Sequence, residues 1–206
     1  MTTILTILTE GFADWEIATL CGVARGFYGL AVRHATPRGL PVTSSGGLRV
    51  IPDLGLEAVD IAAADAIIVC GGTIWRSDGA PDLSGLLRRA QAARLVVGGI
   101  CDGTRALARA GLLDSVGHTS NDPETLLETG YAGRAHYWEV PHAVSDQRIV
   151  TAPGTAPVSF MAEILDTLGL RDENLDYYLG LLAAEHAPRA ERWGRTSSAE
   201  ADIAYR

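Results

Sequence analysis

Cysteine is scarce in this chain, and its basic residues do not cluster. Three cysteines among 206 residues are too few, and odd in number, for a disulfide framework, so we expect a reducing compartment, the cytoplasm. A net charge of −8 without any run of Lys or Arg argues against nucleic acid as a constitutive partner, because phosphate binding needs a basic patch. The composition therefore favours an acidic protein in solution inside the cell.

Long apolar runs are also missing. No stretch approaches the length of a membrane-spanning helix, and the apolar residues 4–8 lack the positive flank and the length of a signal peptide. No two histidines have the spacing of a metal site such as His-x-x-x-His. We therefore expect no membrane partner, no metal and no other cofactor.

Short apolar runs alternate with helical patterns along the chain. This alternation predicts an α/β fold in which a mostly parallel sheet is covered by helices on both faces. The expected strands are residues 3–8, 31–36, 66–70, 95–100, 116–120 and 148–152, the expected helices are 14–28, 81–93, 155–168 and 172–185, and residues 43–53 are expected to form a hairpin.

No change of composition marks a linker between domains. We predict a single domain over residues 1–206, with a core over 1–186 and a polar C-terminal tail over 187–206. At the start of the first helix, Asp14 is the predicted N-cap.

Cys101 stands where the apolar run 95–100 meets a helical segment. A strand that turns sharply into a helix exposes its junction residue at the carboxyl edge of the sheet, beside free amide groups. A thiol there should ionise more easily than a free cysteine, and the thiolate is the reactive form. The alternative is that Cys101 packs as a small buried hydrophobe, which is our interpretation of Cys21 and Cys70.

Ligand sites in such sheets form beyond the carboxyl ends of the strands, which brings residues 10–16, 71–75 and 101–104 together. Several motifs of this chain resemble, in order and spacing, those of the DJ-1/PfpI superfamily, in the branch described as type 1 glutamine-amidotransferase-like. The resemblance implies a flavodoxin-like three-layer sandwich with a cysteine on a nucleophile elbow. It is carried by residues 9–16 (TEGFADWE), 67–72 (IIVCGG), 99–103 (GICDG), 108–114 (ARAGLLD), 118–122 (HTSND) and 149–154 (IVTAPG).

The resemblance implies a role for each matching residue. Cys101 would be the nucleophile, and Glu16 would be the carboxylic acid beside its sulfur. A carboxyl group buried near a thiolate should hold its proton and donate a hydrogen bond to the sulfur. The backbone N–H groups of Gly72 and Asp102 would stabilise an oxyanion. The alternative for Glu16 is a solvated acid in a first helical turn.

Asn121 marks a departure from the family pattern, because many relatives carry a histidine at that position. Asparagine can orient or bind a substrate, but it cannot transfer protons near neutral pH. His118 falls on the opposite face of an alternating strand. Residues 151–155 also lack the His-x-Glu of glutaminases, so we do not expect glutamine hydrolysis by a Cys-His-Glu triad.

Three tryptophans are further candidates for substrate contact. Trp15, Trp75 and Trp138 lie on or near the predicted rim of the site, where aromatic rings suit an apolar or planar substrate. Core or dimer packing is the alternative. The remaining candidates for substrate binding are Gly71, Asn121 and His118.

The resemblance leaves three functions open. In the first, the chain is an enzyme in which Cys101 attacks a small carbonyl, amide or isonitrile, as a hydrolase, hydratase or glyoxalase-like enzyme. In the second, it is a redox-sensing or stress-response protein in which Cys101 is oxidised to sulfenic and sulfinic acid. In the third, it is a regulatory dimer with an inactive site. Relatives are commonly homodimers, so the expected partners are a small-molecule substrate and a second copy of the chain.

Overall fold

The fold is built on a seven-stranded sheet, seen in a computed structural model in which residues 1–185 are described. In the sheet order β5-β2-β1-β6-β7-β9-β8, all neighbours are parallel except β8 and β9, so the predicted, mostly parallel sheet is confirmed. The short strands β3 and β4 pair separately as an antiparallel hairpin, also as predicted. The strands are β1 (Thr3–Ile7), β2 (Ala31–Thr36), β3 (Val42–Thr43), β4 (Arg49–Val50), β5 (Leu54–Gly55), β6 (Ala66–Val69), β7 (Val96–Ile100), β8 (Val144–Asp146) and β9 (Ile149–Ala152).

Helices cover both faces of this sheet. Successive residues of a strand point to opposite faces, and two glycines of β7 show which helix lies on each side. A Cβ on Gly98 would meet Phe160 and Ile164, whereas one on Gly99 would meet Leu107. The helix that carries Phe160 and the helix that carries Leu107 therefore pack on opposite faces, as a three-layer sandwich requires. The helices are α1 (Asp14–Gly26), α2 (Ser84–Ala92), α3 (Thr104–Arg109), α4 (Pro123–Leu127), α5 (Pro157–Thr167) and α6 (Glu173–Glu185).

Backbone contacts separate residues 1–170, as one compact unit, from a second unit that begins at residue 171. In the second unit, α6 begins with acidic residues, which a helix N-terminus favours, and Asp176 pairs with Arg171 at 2.8 Å. His186 and the predicted tail lie outside the described residues, and a single domain over the whole chain stays a prediction. Between residues 1 and 185, no helix has the length and apolar character needed to cross a membrane.

The central strands β6 and β7 are completely buried, as their continuous apolar sequences predict. Glycine at positions 98 and 99 of β7 lets α5 and α3 approach the strand without a side chain between them. This close packing fixes the end of β7, the point at which Cys101 follows.

The predicted strand at residues 116–120 is wrong. The segment makes only an isolated bridge between His118 and Tyr137. Side chains of the neighbouring strands take its backbone donors instead: the Gly117 N–H bonds Asp146 Oδ2 and the Thr119 N–H bonds Thr151 Oγ1. The edge strand β8, which supplies Asp146, has only three residues and no clear sequence signal.

The predicted N-cap of α1 is also wrong by one position. The N-cap is Ala13, and Asp14 is the first helical residue. The Asp14 carboxylate accepts a hydrogen bond from Ser44 Oγ at 2.8 Å, and the backbone N–H of Gly11 donates to Thr43 O. These contacts hold the β3–β4 hairpin against the start of α1, beside the carboxyl ends of the strands.

Gly98→Ala should lower the free energy of unfolding by about 1–3 kcal/mol through overpacking. Its Cβ would lie 2.8 Å from Ile68 Cδ1 and 2.9 Å from Ile164 Cδ1. Urea denaturation followed by circular dichroism measures the loss. Ile164→Val removes the crowding methyl, so the double variant should lose less than the sum of the two single variants. Simple additivity would show that crowding at this point is not the cause.

Candidate active site

The carboxyl ends of the parallel strands bring four sequence-distant segments to one edge of the sheet. Glu16 lies in the first turn of α1, Gly71 follows β6, Cys101 follows β7 and Gly154 follows β9. A Cβ on Gly154 would lie 2.9 Å from Cys101 Sγ and 3.0 Å from Glu16 Oε1. Residues from four connections therefore meet around one sulfur atom.

Cys101 sits on a strained turn between β7 and α3. Its backbone φ is 55°, in the left-handed region, and residues Cys101–Gly103 form one turn of 3-10 helix before α3 begins. This conformation costs a non-glycine residue about 1–2 kcal/mol. Thr104 Oγ1 donates a hydrogen bond to the Cys101 carbonyl at 2.6 Å and lies 2.7 Å from Ser120 Oγ. Gly103 is required as well, because a Cβ there would overlap the Val69 carbonyl on the neighbouring strand.

Glu16 is fully buried beside this turn. Its Oε2 accepts a hydrogen bond from the Gly71 N–H at 2.9 Å, while no described residue bonds its Oε1. Burial and, to a smaller extent, the negative charge of Asp102 raise the pKa of Glu16 to about 7, against the lowering effect of the Cys101 side chain and the Gly71 N–H. Glu16 is therefore a buried acid that can hold or release a proton near neutral pH.

The Cys101 thiol does not ionise as easily as the sequence predicts. Burial and the negative charge of Glu16 raise its pKa to about 12, although Asn121 and the Asp102 N–H favour the thiolate. The error has a physical cause: a helix start and backbone amides favour a thiolate, but an ionised carboxyl group in contact opposes it more strongly. Above pH 7, Glu16 and Cys101 hold one proton and one negative charge between them. The hydrogen bonds to the sulfur decide how much of that charge the sulfur carries.

Asn121 contacts the sulfur directly. Its Nδ2 donates to Cys101 Sγ at 3.0 Å, and its Oδ1 accepts from the Gly154 N–H at 2.8 Å. The bond to Gly154 orients the amide so that its NH₂ group points at the sulfur. Asn121 therefore supports negative charge on Cys101 but cannot take the thiol proton.

Two glycines close the space around the Glu16–Cys101 pair. A Cβ on Gly71 would lie 2.7 Å from Cys101 Cβ, closer than the 2.9 Å between a Cβ on Gly154 and Cys101 Sγ. Gly71 was a sequence candidate, but Gly154 was not assigned to the site. Its position directly after β9, at the carboxyl edge, is the signal that could have found it.

Asp102 contributes both its backbone and its side chain. Its N–H bonds the sulfur of Cys101, and its buried carboxylate pairs with Arg76 through Nε at 2.8 Å and Nη2 at 2.9 Å. Gly72, the other oxyanion candidate, lies at the same edge and forms a bridge with Phe12. Sequence reasoning missed Arg76, because nothing local to residues 73–76 indicates a partner 26 positions away.

Trp75 does not belong to the rim of the site, and that prediction is wrong. Its side chain is fully buried, and its Nε1 donates to the Cys70 carbonyl at 2.8 Å. Its own carbonyl accepts hydrogen bonds from Arg105 and Arg109 of α3. Trp75 thus packs in the core and anchors the turn after β6, because the loop folds back over α3 rather than outward.

His118 is also wrong as a substrate-binding candidate. It is fully buried, its Nδ1 lies 2.8 Å from the Val116 carbonyl, and its ring contacts the rings of Tyr131 and Tyr137 edge-on. Burial lowers its pKa, so the neutral imidazole is favoured. Trp15 and Trp138 are each 54% exposed, and whether they contact a substrate stays a prediction.

The other two cysteines are not part of this constellation. Cys70 is buried and its Sγ donates to the Ala13 carbonyl at 3.3 Å, while burial raises the pKa of Cys21 to about 12. Within residues 1–185, no three metal-ligating side chains come together.

Comparison with known proteins agrees with this geometry. The family model described as the DJ-1/PfpI family matches residues 2–167. A Bacillus subtilis (strain 168) protein named uncharacterized protease YoaZ is 36% identical over 129 residues, which are 62% of this chain and 61% of that relative. The chain therefore spans about three fifths of this relative's length.

Two solved structures are similar over almost the whole chain. A DJ-1 superfamily protein from Agrobacterium tumefaciens has a TM-score of 0.88 and 45% identity, over 90% of this chain and 100% of that one. A thiJ/pfpI family protein from Bacillus anthracis has a TM-score of 0.81 and 30% identity, over 94% of this chain and 95% of that one. Together with the matching family model, they show that this chain belongs to the DJ-1/PfpI family, as its motifs predict.

Proposed function

We propose that this chain is a cysteine-dependent enzyme that acts on a small carbonyl, amide or isonitrile substrate, as a hydrolase, hydratase or glyoxalase-like enzyme. The observation that carries the proposal is the position of Cys101 Sγ between the buried Glu16 carboxyl group and the Asn121 amide. The word protease in the name of the Bacillus subtilis relative supports a hydrolytic reaction.

In the proposed reaction, Glu16 takes the thiol proton while the sulfur of Cys101 attacks the electrophilic carbon. A carboxyl group whose pKa is about 7 accepts and returns protons efficiently near neutral pH. The N–H groups of Gly72 and Asp102 stabilise the negative charge that develops on a carbonyl oxygen or on the isonitrile carbon. With an amide, Glu16 gives the proton to the departing amine, and water hydrolyses the thioester that remains. With an isonitrile, the proton goes to the isonitrile carbon, and water adds to the resulting thioimidate and releases the thiol. With a 2-oxoaldehyde, Glu16 moves a proton from one carbon of the hemithioacetal to the next, and water hydrolyses the thioester so formed.

Glutamine hydrolysis by a three-residue triad does not fit this site. The residue that donates to the sulfur is Asn121, which cannot move protons. The connection after β9 brings Gly154 to the sulfur rather than a histidine. Among the described residues, Glu16 is therefore the proton carrier in contact with Cys101, which suits reactions that need a single acid–base group.

Glu16→Gln should lower kcat/KM by about 10²–10⁴-fold, because it removes the group that takes the thiol proton. Turnover is measured on methylglyoxal, simple amides and isonitriles, with Cys101→Ser as the inactive variant and Cys21→Ser as the matched control.

The wild-type rate of Cys101 alkylation should rise through pH 7, where the pair of Glu16 and Cys101 loses its first proton. Glu16→Gln should lack that inflection. Undiminished turnover in Cys101→Ser would refute the proposal that this chain is a cysteine-dependent enzyme.

Asn121→Leu, which keeps the shape of the side chain and removes the donor, should slow alkylation of Cys101 by about ten- to a hundredfold at pH 8. A hydrogen bond to a charged group contributes about 1.5–3 kcal/mol, and here it favours the thiolate. The inflection near pH 7 should remain, because Glu16 is unchanged. Alkylation rates followed by mass spectrometry test both points, and an unchanged rate would mean that the contact does not support the thiolate.

A second candidate function is redox sensing, and one difference between the cysteines favours it. The sulfur of Cys101 accepts hydrogen bonds from Asn121 and Asp102, whereas the sulfur of Cys70 donates to a carbonyl. Glu16 Oε1, without a partner among the described residues, faces the same sulfur and can bond an oxygen added to it. In this proposal a peroxide oxidises Cys101 to the sulfenic acid and is itself reduced.

Under limiting hydrogen peroxide, Cys101 should gain oxygen before Cys21 or Cys70 does, because its sulfur is partly exposed and accepts a hydrogen bond from Asn121. Intact mass and peptide mapping identify the oxidised residue, with Cys101→Ser as the control. If Cys21 or Cys70 is oxidised before Cys101, the proposal of redox sensing through Cys101 is wrong.

A further inference from the structure

Resting on the proposed function, we propose that the site selects uncharged electrophiles and rejects those that carry a carboxylate, because Arg76 is closed onto Asp102 and the groups around Cys101 have a net negative charge. The substrate class would then be small neutral aldehydes, amides or isonitriles rather than oxo acids.

Arg76 is the cation nearest in sequence to the oxyanion candidate Gly72, and it is already engaged. Its Nε and Nη2 bond the two carboxylate oxygens of Asp102 at 2.8 and 2.9 Å, in the fork geometry that a substrate carboxylate would also use. The Asp102 side chain is only 7% exposed. A carboxylate that took Arg76 would leave the Asp102 charge buried without its partner, which is strongly unfavourable.

The charged groups around Arg76 and Asp102 are mostly acidic. The negative charge of Asp102 raises the pKa of Glu16, and the charges of Asp102 and Asp122 raise the pKa of Arg76. Asp122 is held next to Asn121, because its carboxylate caps α4 by accepting from the N–H groups of Glu124 and Thr125. The set formed by Glu16, Arg76, Asp102 and Asp122 therefore stays negative whether Glu16 is protonated or ionised. Burial raises the pKa of Cys70, a further titratable group near Glu16, so its thiol holds its proton.

The donors at the sulfur suit a neutral substrate. Asn121 Nδ2 and the backbone N–H of Asp102 are dipoles without net charge, and they can polarise a carbonyl oxygen or an isonitrile carbon. A carboxylate would meet the same donors only after entering a region of negative potential, which lowers its local concentration and its rate of encounter. Charge, rather than the size of the opening, is the property that discriminates here.

Iodoacetamide and iodoacetate test this directly, since they match in size and differ by one negative charge. In each reaction the sulfur forms a bond to carbon, iodide leaves, and the thiol proton passes to Glu16 or to solvent. Second-order rates at Cys101 of the full chain are measured by peptide mass spectrometry at low salt, with N-acetylcysteine as the reference thiol. The iodoacetamide-to-iodoacetate ratio should exceed that of the reference by about tenfold.

Charge variants should move this ratio in opposite directions. Asp102→Asn frees the Arg76 guanidinium and should lower the ratio about three- to tenfold, whereas Arg76→Gln should raise it by a similar factor. Asp65→Asn, which removes one negative charge at the amino end of β6, is the matched control and should leave the ratio unchanged. High salt should bring the wild-type ratio towards the reference, because the Debye length falls to about 3 Å at 1 M.

The outcomes separate this inference from the proposed function. A ratio at or below that of N-acetylcysteine, or equal shifts in the same direction for Asp102→Asn and Arg76→Gln, overturns charge selection while Cys101 remains reactive. Rates with both reagents no higher than the Cys101→Ser background overturn the proposed function and this inference with it.

Discussion

The carboxyl group of Glu16 and the thiol of Cys101 lie in contact where Gly71 and Gly154 leave no room for a further side chain. Burial raises the pKa of both groups, so each depends on a donor to carry charge: the Gly71 N–H for the carboxylate and the Asn121 amide for the sulfur. Between the two pKa values the pair therefore holds one proton, which the two groups share. Its chemistry follows from this shared proton rather than from an easily ionised thiol.

This contact exists because the elbow is held in a strained shape. The left-handed backbone of Cys101 costs about 1–2 kcal/mol, which the surrounding packing must offset. Close approach of α5 and α3 to Gly98 and Gly99 fixes the end of β7, and Gly103 lets the turn lie against β6. Close packing on both faces of β7 thus positions the sulfur.

Three arginines also hold the turn after β6 in place through hydrogen bonds. Arg105 and Arg109 both donate to the Trp75 carbonyl, and Arg76 joins the same turn to Asp102 beside the nucleophile. The turn that carries Gly72 is therefore tied to the helix that begins at the elbow. The same arrangement commits two guanidinium nitrogens of Arg76 to a carboxylate beside the nucleophile.

By itself the sequence determined the layered fold, because continuous apolar runs such as β6 and β7 are short-range signals of buried strands. The order of its motifs also placed Glu16 and Asn121 near Cys101. Only the tertiary structure decided that Trp75 and His118 turn into the core, that Gly154 and Arg76 join the site, and that the Cys101 pKa rises. Burial and pairing depend on contacts between residues distant in the chain, and a local pattern carries no information about which of those contacts form.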